Sequence, residues 1–159
     1  MKIEFIKSSE EKQITKELEK TYGITDTKNT LIRTGRERIR AYSGILTKQE
    51  IRELSAITNI EIIGMYIINT KDKDYRLSFD AVSLLKDKIN KSIIKINKDQ
   101  KESWIRGNIL EIKTQKGVVV IQYEDDLIGI GKSNGQKIFN YIPKERKIKT
   151  PLKKPENEH

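Results

Sequence analysis

Between residues 118 and 142, short β-branched runs alternate with turn signals, and this pattern constrains the fold more than any other part of the sequence. The runs predict three strands of ordinary length: 118–123, 127–132 and 137–142. An acidic triplet, 124–126, predicts the first turn, and Asn134-Gly135 is a two-residue hairpin signal for the second. Pro143 ends the last strand because proline cannot donate to a ladder. The segment therefore predicts a small antiparallel meander.

Two helix starts are predicted in the first half of the chain. Ser8 is an N-cap candidate, with Glu11 three residues later completing a capping box. Thr47 and Glu50 have the same spacing and predict a second helix.

Further elements follow from apolar patterning. Residues 60–68 are largely apolar on both faces, as in a central strand. Residues 98–105 predict a helical turn that places Trp104 in the core.

The charged stretch 69–75 predicts a boundary between two parts. We expect an α+β protein with a small N-terminal α/β region, 1–74, packed on a mixed β pseudobarrel, 75–149. Residues 150–159 have the composition of a disordered tail.

The composition indicates an anionic partner. With 32 Lys and Arg against 23 Asp and Glu, the net charge is +9, which favours nucleic acid or a membrane surface, although a solvated lysine-rich surface has the same composition. The absence of cysteine excludes disulfides, thiolate metal sites and a cysteine nucleophile. The only histidine is His159. No apolar stretch approaches the roughly 20 residues of a membrane span, and the N-terminus lacks the apolar region of a signal peptide, so we expect a cytoplasmic protein.

An arginine face is the first candidate binding feature. In the predicted strand 36–42, alternation places three arginines on one face: Arg36, Arg38 and Arg40. The planar guanidinium fork matches phosphate, so RNA is one partner for this face. The alternative is an ordinary solvated face paired with the nearby glutamates, Glu50, Glu53 or Glu61.

A second candidate follows the last predicted strand. Here an amide and an aromatic ring precede a basic run: Asn140, Tyr141, Lys144, Arg146 and Lys147. The first two suit an unpaired base and the cations suit its backbone, whereas the alternative is a basic tail that only aids solubility. We add Arg106 and Lys132 to the predicted RNA-binding residues.

Other motifs point away from catalysis. Gly129 and Gly131 lack Walker-loop spacing, and glycines within a strand more often mark a bulge or a close backbone approach. Asp125 and Asp126 lie in a predicted surface turn with no histidine nearby. We therefore predict no catalytic residue, no metal site and no cofactor.

Several segments resemble a PUA domain, the RNA-binding domain of pseudouridine synthases and archaeosine transglycosylases. They are RLSFDA (76–81), WIRGN (104–108), DDLIGIGK (125–132) and NYIPKERK (140–147). The likeness is strongest to archaeal PUA proteins related to the RNA-binding part of Sun-type RNA cytosine-5 methyltransferases. RERIRAYSG (36–44) and IIGMYI (62–67) are similar to the segment that precedes the domain in such proteins. Asn108 departs from the pattern, which has an acidic residue there.

The resemblance implies a pseudobarrel that grips structured rRNA or tRNA. It also implies work in RNA modification, rRNA processing or ribosome biogenesis. The related methyltransferases use a cysteine and a separate S-adenosylmethionine domain, and this chain has neither the cysteine nor the length for that domain. We therefore expect a non-catalytic module that acts with an RNA-modifying enzyme or assembly factor from another chain.

Two rival functions remain open at this point. The first is a protein-interaction adaptor in a ribosome-assembly complex, which should expose an apolar patch. The second is an enzyme whose site uses the few available acids, lysines and tyrosines.

Overall fold

The structure is a computed structural model that describes residues 2–149, apart from the side chain of Asp72. The predicted disordered tail, 150–159, and His159 lie outside the described residues.

The first half of the chain forms a five-stranded antiparallel meander. Its strands follow one another in space as in sequence: β1 (Ile3–Phe5), β2 (Thr30–Thr34), β3 (Arg38–Tyr42), β4 (Met65–Asn69) and β5 (Arg76–Leu77). The predicted strand 36–42 therefore begins two residues late, because Arg36 lies in the β2–β3 turn. The predicted strand 60–68 begins only at Met65, after Gly64 takes a left-handed φ of 65°.

The second sheet has four strands and mixed direction. They are β6 (Ile93–Lys95), β7 (Gly117–Tyr123), β8 (Asp126–Ser133) and β9 (Ile138–Asn140). The first pair is parallel and the other two are antiparallel. Within the described residues the sheet stays open, so the mixed β arrangement is not a closed barrel. The predicted α+β class is confirmed.

The β8–β9 connection differs from its prediction. Four residues, 134–137, separate the strands, so the predicted two-residue hairpin is wrong. The side-chain oxygen of Asn134 accepts hydrogen bonds from the amides of Gln136 (2.9 Å) and Lys137 (2.8 Å). The Asn134 amide also donates to the Lys137 carbonyl at 3.1 Å, so the backbone and the side chain of the asparagine together hold this four-residue connection.

The helices complete the fold: α1 (Ser8–Tyr22), α2 (Lys48–Ile57), α3 (Phe79–Leu84) and α4 (Lys98–Ile105). The predicted helix 98–105 is confirmed. None of the helices within residues 2–149 is long and apolar enough to cross a membrane.

The two predicted capping boxes have opposite outcomes. At α2 the Glu50 amide donates to the Thr47 hydroxyl, and the Thr47 amide donates to the Glu50 carboxylate at 2.7 Å. The Thr47 amide first, and then the Thr47 hydroxyl, which donates to the same carboxylate at 2.8 Å, lower the pKa of Glu50. At α1 the prediction is wrong, because the helix already includes Ser8 and the extended N-cap residue is Lys7, which makes no side-chain cap.

One apolar core joins the two sheets. Its largest cluster contains Ile39 and Ile67 of the first sheet together with Val120 and Ile130 of the second. Helix α3 contacts both β4 and β8. The two sheets are therefore held against each other by buried side chains, and the boundary between residues 74 and 75 stays a prediction.

A second core forms around Trp104, whose side chain is fully buried. The indole lies against two glycines of β8. A Cβ at Gly129 would approach the indole nitrogen to 3.0 Å, and one at Gly131 would approach the ring to 2.8 Å. The β7–β8 register also shifts beside Gly129. A Cβ at Gly131 would also approach the backbone carbonyl of Phe139 to 2.6 Å, so these glycines serve the close backbone approach and the bulge that the sequence predicted.

Candidate RNA interface

The three arginines of the predicted arginine face border one surface cavity. Strand β3 alternates as predicted, with Ile39 and Ala41 buried and Arg38 and Arg40 on the opposite face. Arg36 reaches the same cavity from the turn. This arginine cavity, of about 650 Å³, also has two glutamates in its wall: its lining is Thr34, Gly35, Arg36, Glu37, Arg38, Arg40, Glu61 and Ile62.

Arg40 has a structural partner that Arg38 lacks. Its guanidinium donates to the carbonyl of Ile63 at 2.7 Å and to that of Gly64 at 2.9 Å. These bonds hold the segment before β4 against β3. Arg40 is therefore engaged within the fold, whereas Arg38 is exposed and lies over the ring of Tyr66, 5.2 Å from its centroid.

Tyr66 and Arg76 extend this surface toward the second sheet. Tyr66 on β4 pairs in register with Arg40 on β3. Arg76 on β5 stacks over Tyr141, with its guanidinium carbon 3.8 Å from the ring centroid. Because stacked arginine and aromatic groups attract each other, Arg76 links the first sheet to the end of the second. Neither Tyr66 nor Arg76 was among the predicted RNA-binding residues, although both lie in segments that resemble the family, 62–67 and 76–81.

The two sheets enclose a smaller cavity where these side chains meet. This inter-sheet cavity has a volume of about 180 Å³. Three aromatic rings and Arg76 dominate its wall, which consists of Tyr66, Arg76, Leu77, Ser78, Phe79, Ile130, Tyr141 and Pro143. Tyr141 therefore lies at the junction of the two sheets, close to Tyr66.

Beyond Tyr141 lies a cavity with two aromatic rings and two lysines. Phe139, on β9, and Tyr141, just after it, are both about 40% exposed and line the same cavity. Their cavity, of about 480 Å³, is completed by Lys116, Gly117, Lys132, Ser133 and Asn134. Lys132 forms an ion pair with Asp74. Phe139 was not among the predicted RNA-binding residues either.

Asn140 is engaged within the domain. Its amide nitrogen donates to the carbonyls of Trp104 (2.7 Å) and Asn108 (3.2 Å), and its oxygen accepts the amide of Ile142 at 2.8 Å. The side chain therefore ties the end of α4 to β9. We leave Asn140 out of the proposed contact surface for this reason.

The remaining predicted cations lie around the end of α4 and the C-terminal turn. Arg106 is exposed, and the Lys147 side chain lies against the neighbouring Gly107. Arg146 donates to Asp80 at 3.2 Å and lies over Phe79, 5.6 Å from the ring centroid. Since Phe79 also lines the inter-sheet cavity, Arg146 is part of the same neighbourhood. Lys144 is exposed.

The acid pair has no metal-binding environment around it. Asp125 lies in the β7–β8 turn and Asp126 begins β8. Among the residues that the structure describes, no group of three or more histidine or acidic side chains is placed to hold a metal ion.

Comparison with known proteins identifies the domain family of the C-terminal part. Residues 91–148 match the family described as the methyltransferase RsmF PUA domain. These residues are a PUA domain related to the RNA-binding part of Sun-type rRNA methyltransferases, which confirms the predicted resemblance.

The similar proteins are bacterial and each is named ribosomal RNA small subunit methyltransferase F. That of Aliivibrio fischeri is 30% identical over 84 residues, which are 52% of this chain and 18% of that protein. That of Erwinia tasmaniensis is 28% identical over 102 residues, 63% of this chain and 21% of the relative. That of Photobacterium profundum is 31% identical over 97 residues, which are 60% of this chain and 20% of that protein. This chain thus spans about 20% of these relatives, and the match reaches only their PUA region.

Proposed function

We propose that this chain is a non-catalytic RNA-binding module that binds structured rRNA or tRNA in the cytoplasm, during RNA modification or ribosome biogenesis. One observation carries the proposal: a line of arginine-stacked aromatic side chains runs from the first sheet into the PUA domain. Its members are Arg38, Tyr66, Arg76 and Tyr141. An RNA-modifying enzyme or an assembly factor from another chain would be its protein partner.

The chemistry of this line suits RNA better than a protein surface. Arg38 and Arg76 have no carboxylate within ion-pair distance among the described residues, so both guanidiniums are available to phosphate oxygens. Tyrosine rings beside them are stacking surfaces for unpaired bases. We expect affinity to come mainly from phosphate contacts, and selectivity from RNA shape and a few bases.

Binding to total tRNA and to rRNA fragments, measured at several salt concentrations, tests the proposal. Because cations on the protein displace counterions from RNA, affinity should fall steeply as salt rises. Absence of binding at low salt would contradict RNA binding altogether. Binding that ignores salt would contradict the phosphate mechanism.

A pair of charge-reversal variants tests the position of the interface. Arg36→Glu with Arg38→Glu should weaken RNA binding by at least about tenfold, because phosphate partners are lost and repulsion is added. The matched control is Lys12→Glu with Lys16→Glu on the exposed face of α1, which makes the same change in net charge. Equal losses in the two variants would show that net charge, not this surface, decides binding.

The non-catalytic part of the proposal has its own test. It is motivated by the absence of cysteine and by the match to only the PUA region of the methyltransferases. Titration calorimetry with S-adenosylmethionine should give no heat of binding. A measurable affinity for this cofactor would contradict the proposal.

Exposed apolar side chains favour the adaptor role as a second candidate. They lie on α2 and on the segments beside it: Ile45, Leu46, Leu54, Ile57 and Ile62. Ile45 is 98% exposed and Ile57 is 83% exposed. If this surface binds an assembly factor, Ile45→Glu with Ile57→Glu should abolish cosedimentation with ribosomal particles and leave binding to isolated RNA unchanged. Unchanged cosedimentation would remove the support for this role.

A further inference from the structure

Three arginine–aromatic pairs contribute their rings to the wall of the inter-sheet cavity. Tyr66, Phe79 and Tyr141 line it, and a guanidinium lies over each ring. The distances from guanidinium carbon to ring centroid are 5.2 Å for Arg38 on Tyr66, 5.6 Å for Arg146 on Phe79 and 3.8 Å for Arg76 on Tyr141. The wall therefore combines three aromatic rings with the Arg76 guanidinium, while Arg38 and Arg146 lie outside it, on the rings of Tyr66 and Phe79.

The size of the cavity limits what it can hold. Its volume of about 180 Å³ is well above the share of one water molecule, about 30 Å³. It is below the range of roughly 300–1,000 Å³ typical of pockets for drug-sized ligands. A single flat ring system is the class of group that this space and these ring faces accommodate.

Polar groups in the wall are placed to hydrogen-bond to the edge of such a ring. Within residues 2–149, the hydroxyls of Tyr66 and Tyr141 have no hydrogen-bond partner, and the guanidinium of Arg76 also lines the space. A phenol offers both a donor and an acceptor, and arginine offers only donors. The cavity thus combines stacking surfaces with hydrogen-bonding groups.

We infer that this cavity binds one nucleobase that is unpaired and turned out of a structured RNA. The phosphates on either side of that nucleotide lie against Arg38, Arg76 and Arg146. The inference rests on the proposed RNA-binding function and specifies its ligand. An apolar protein side chain would fill the space equally well, but it would not bring the anionic groups that the unpaired guanidiniums of Arg38 and Arg76 require.

The test compares RNAs that differ by one nucleotide. A hairpin whose stem contains a single bulged nucleotide should bind the full chain about tenfold more tightly than the same stem fully paired, the gain expected for one stacked base. An abasic site at the bulge should remove this gain. With 2-aminopurine as the bulged base, binding should change its fluorescence because the base leaves the RNA stack for the tyrosine rings.

Substitutions of the cavity tyrosines test whether the cavity causes the preference for the bulged hairpin. Tyr66→Leu and Tyr141→Leu should each abolish the preference for the bulged hairpin while retaining affinity for the paired stem. Tyr123→Leu is the matched control, because that ring also has a cation over it, Lys101 at 5.0 Å, but does not line the cavity. It should leave the preference unchanged.

The outcomes separate this inference from the proposed function. If neither hairpin binds at low salt, the proposed RNA binding fails. If both hairpins bind equally, or the abasic hairpin keeps the gain, RNA binding stands and the base-binding cavity is overturned. The abasic comparison uses the unaltered protein, so it decides the matter even if a tyrosine variant fails to fold.

Discussion

At the scale of single residues, Arg38 and Arg40 show how similar positions acquire different roles. Both lie on the same face of β3. The Arg40 guanidinium donates to two carbonyls of the segment before β4, whereas Arg38 lies over Tyr66 at the surface. The first arginine stabilises the fold and the second is available to a ligand.

We predict that Arg40→Met and Arg38→Met separate stability from binding. Arg40→Met should lower the free energy of unfolding by about 1–3 kcal/mol, because the carbonyl of the buried Ile63 loses its charged donor. Arg38→Met should change it by less than about 0.5 kcal/mol and should weaken RNA binding. Urea denaturation measures the first effect. Equal stability of the two variants would contradict the structural role of Arg40.

The buried hydroxyl of Tyr22 should make the stability of the fold depend on pH. This hydroxyl accepts the amide of Leu77 at 3.1 Å and donates to the carbonyl of Tyr75. Burial, the largest cause, raises its pKa well above the ordinary value near 10. A raised folded-state pKa means that its contribution to stability is complete below about pH 10 and is lost as the pH rises further.

Tyr22→Phe isolates this contribution. At pH 7 the variant should be less stable by about 1–2 kcal/mol, because the Leu77 amide loses its acceptor. Above pH 10, only the unaltered protein loses the Tyr22 contribution, by up to about 1.4 kcal/mol per pH unit. The difference between the two proteins should therefore narrow as the pH rises. A constant difference between pH 7 and pH 11 in urea denaturation would refute this account of Tyr22.

At the scale of elements, the starts of α1 and α2 form a matched pair. Thr47 caps α2 with its hydroxyl, and Ser8 makes no side-chain cap at α1. Thr47→Ala should therefore lower the free energy of unfolding by about 1 kcal/mol, and Ser8→Ala should leave it nearly unchanged. Thermal denaturation followed by circular dichroism compares them. An equal loss for Ser8→Ala would mean that this hydroxyl caps α1 after all.

At the scale of the whole molecule, the shared core makes the two sheets one cooperative unit. Val120 and Ile130 of the second sheet belong to the same buried cluster as Ile39 and Ile67 of the first. The inter-sheet cavity and the line of arginine-stacked aromatic side chains depend on this rigid contact, because their side chains come from both sheets.

We therefore predict a single unfolding transition. Fluorescence of Trp104, the only tryptophan, reports on the second sheet, and far-ultraviolet circular dichroism reports on all elements. The two signals should have the same midpoint in urea, as expected for two-state unfolding. Separate midpoints would show that the parts unfold independently, which would also argue against a fixed cavity between them.

The sequence by itself determined the local elements and the class of the C-terminal domain. The Thr47–Glu50 box, the helix 98–105 and the alternation of β3 depend on residues only a few positions apart, so their patterns are visible along the chain. The motifs of the PUA domain are likewise short and local. The start of β4 and the β8–β9 loop were predicted less well, because a distant arginine and an asparagine side chain set them.

Only the tertiary structure decided which side chains form the candidate site. The carbonyl of Ile63 that engages Arg40 lies 23 positions away in sequence, and no period in the sequence encodes that contact. Arg76 meets Tyr141 only because a shared core presses the two sheets together. Tyr66 and Arg76 lie in the quoted segments 62–67 and 76–81, but nothing in the sequence marks them or Phe139 as cavity residues, because their role depends on neighbours from strands far apart in the chain.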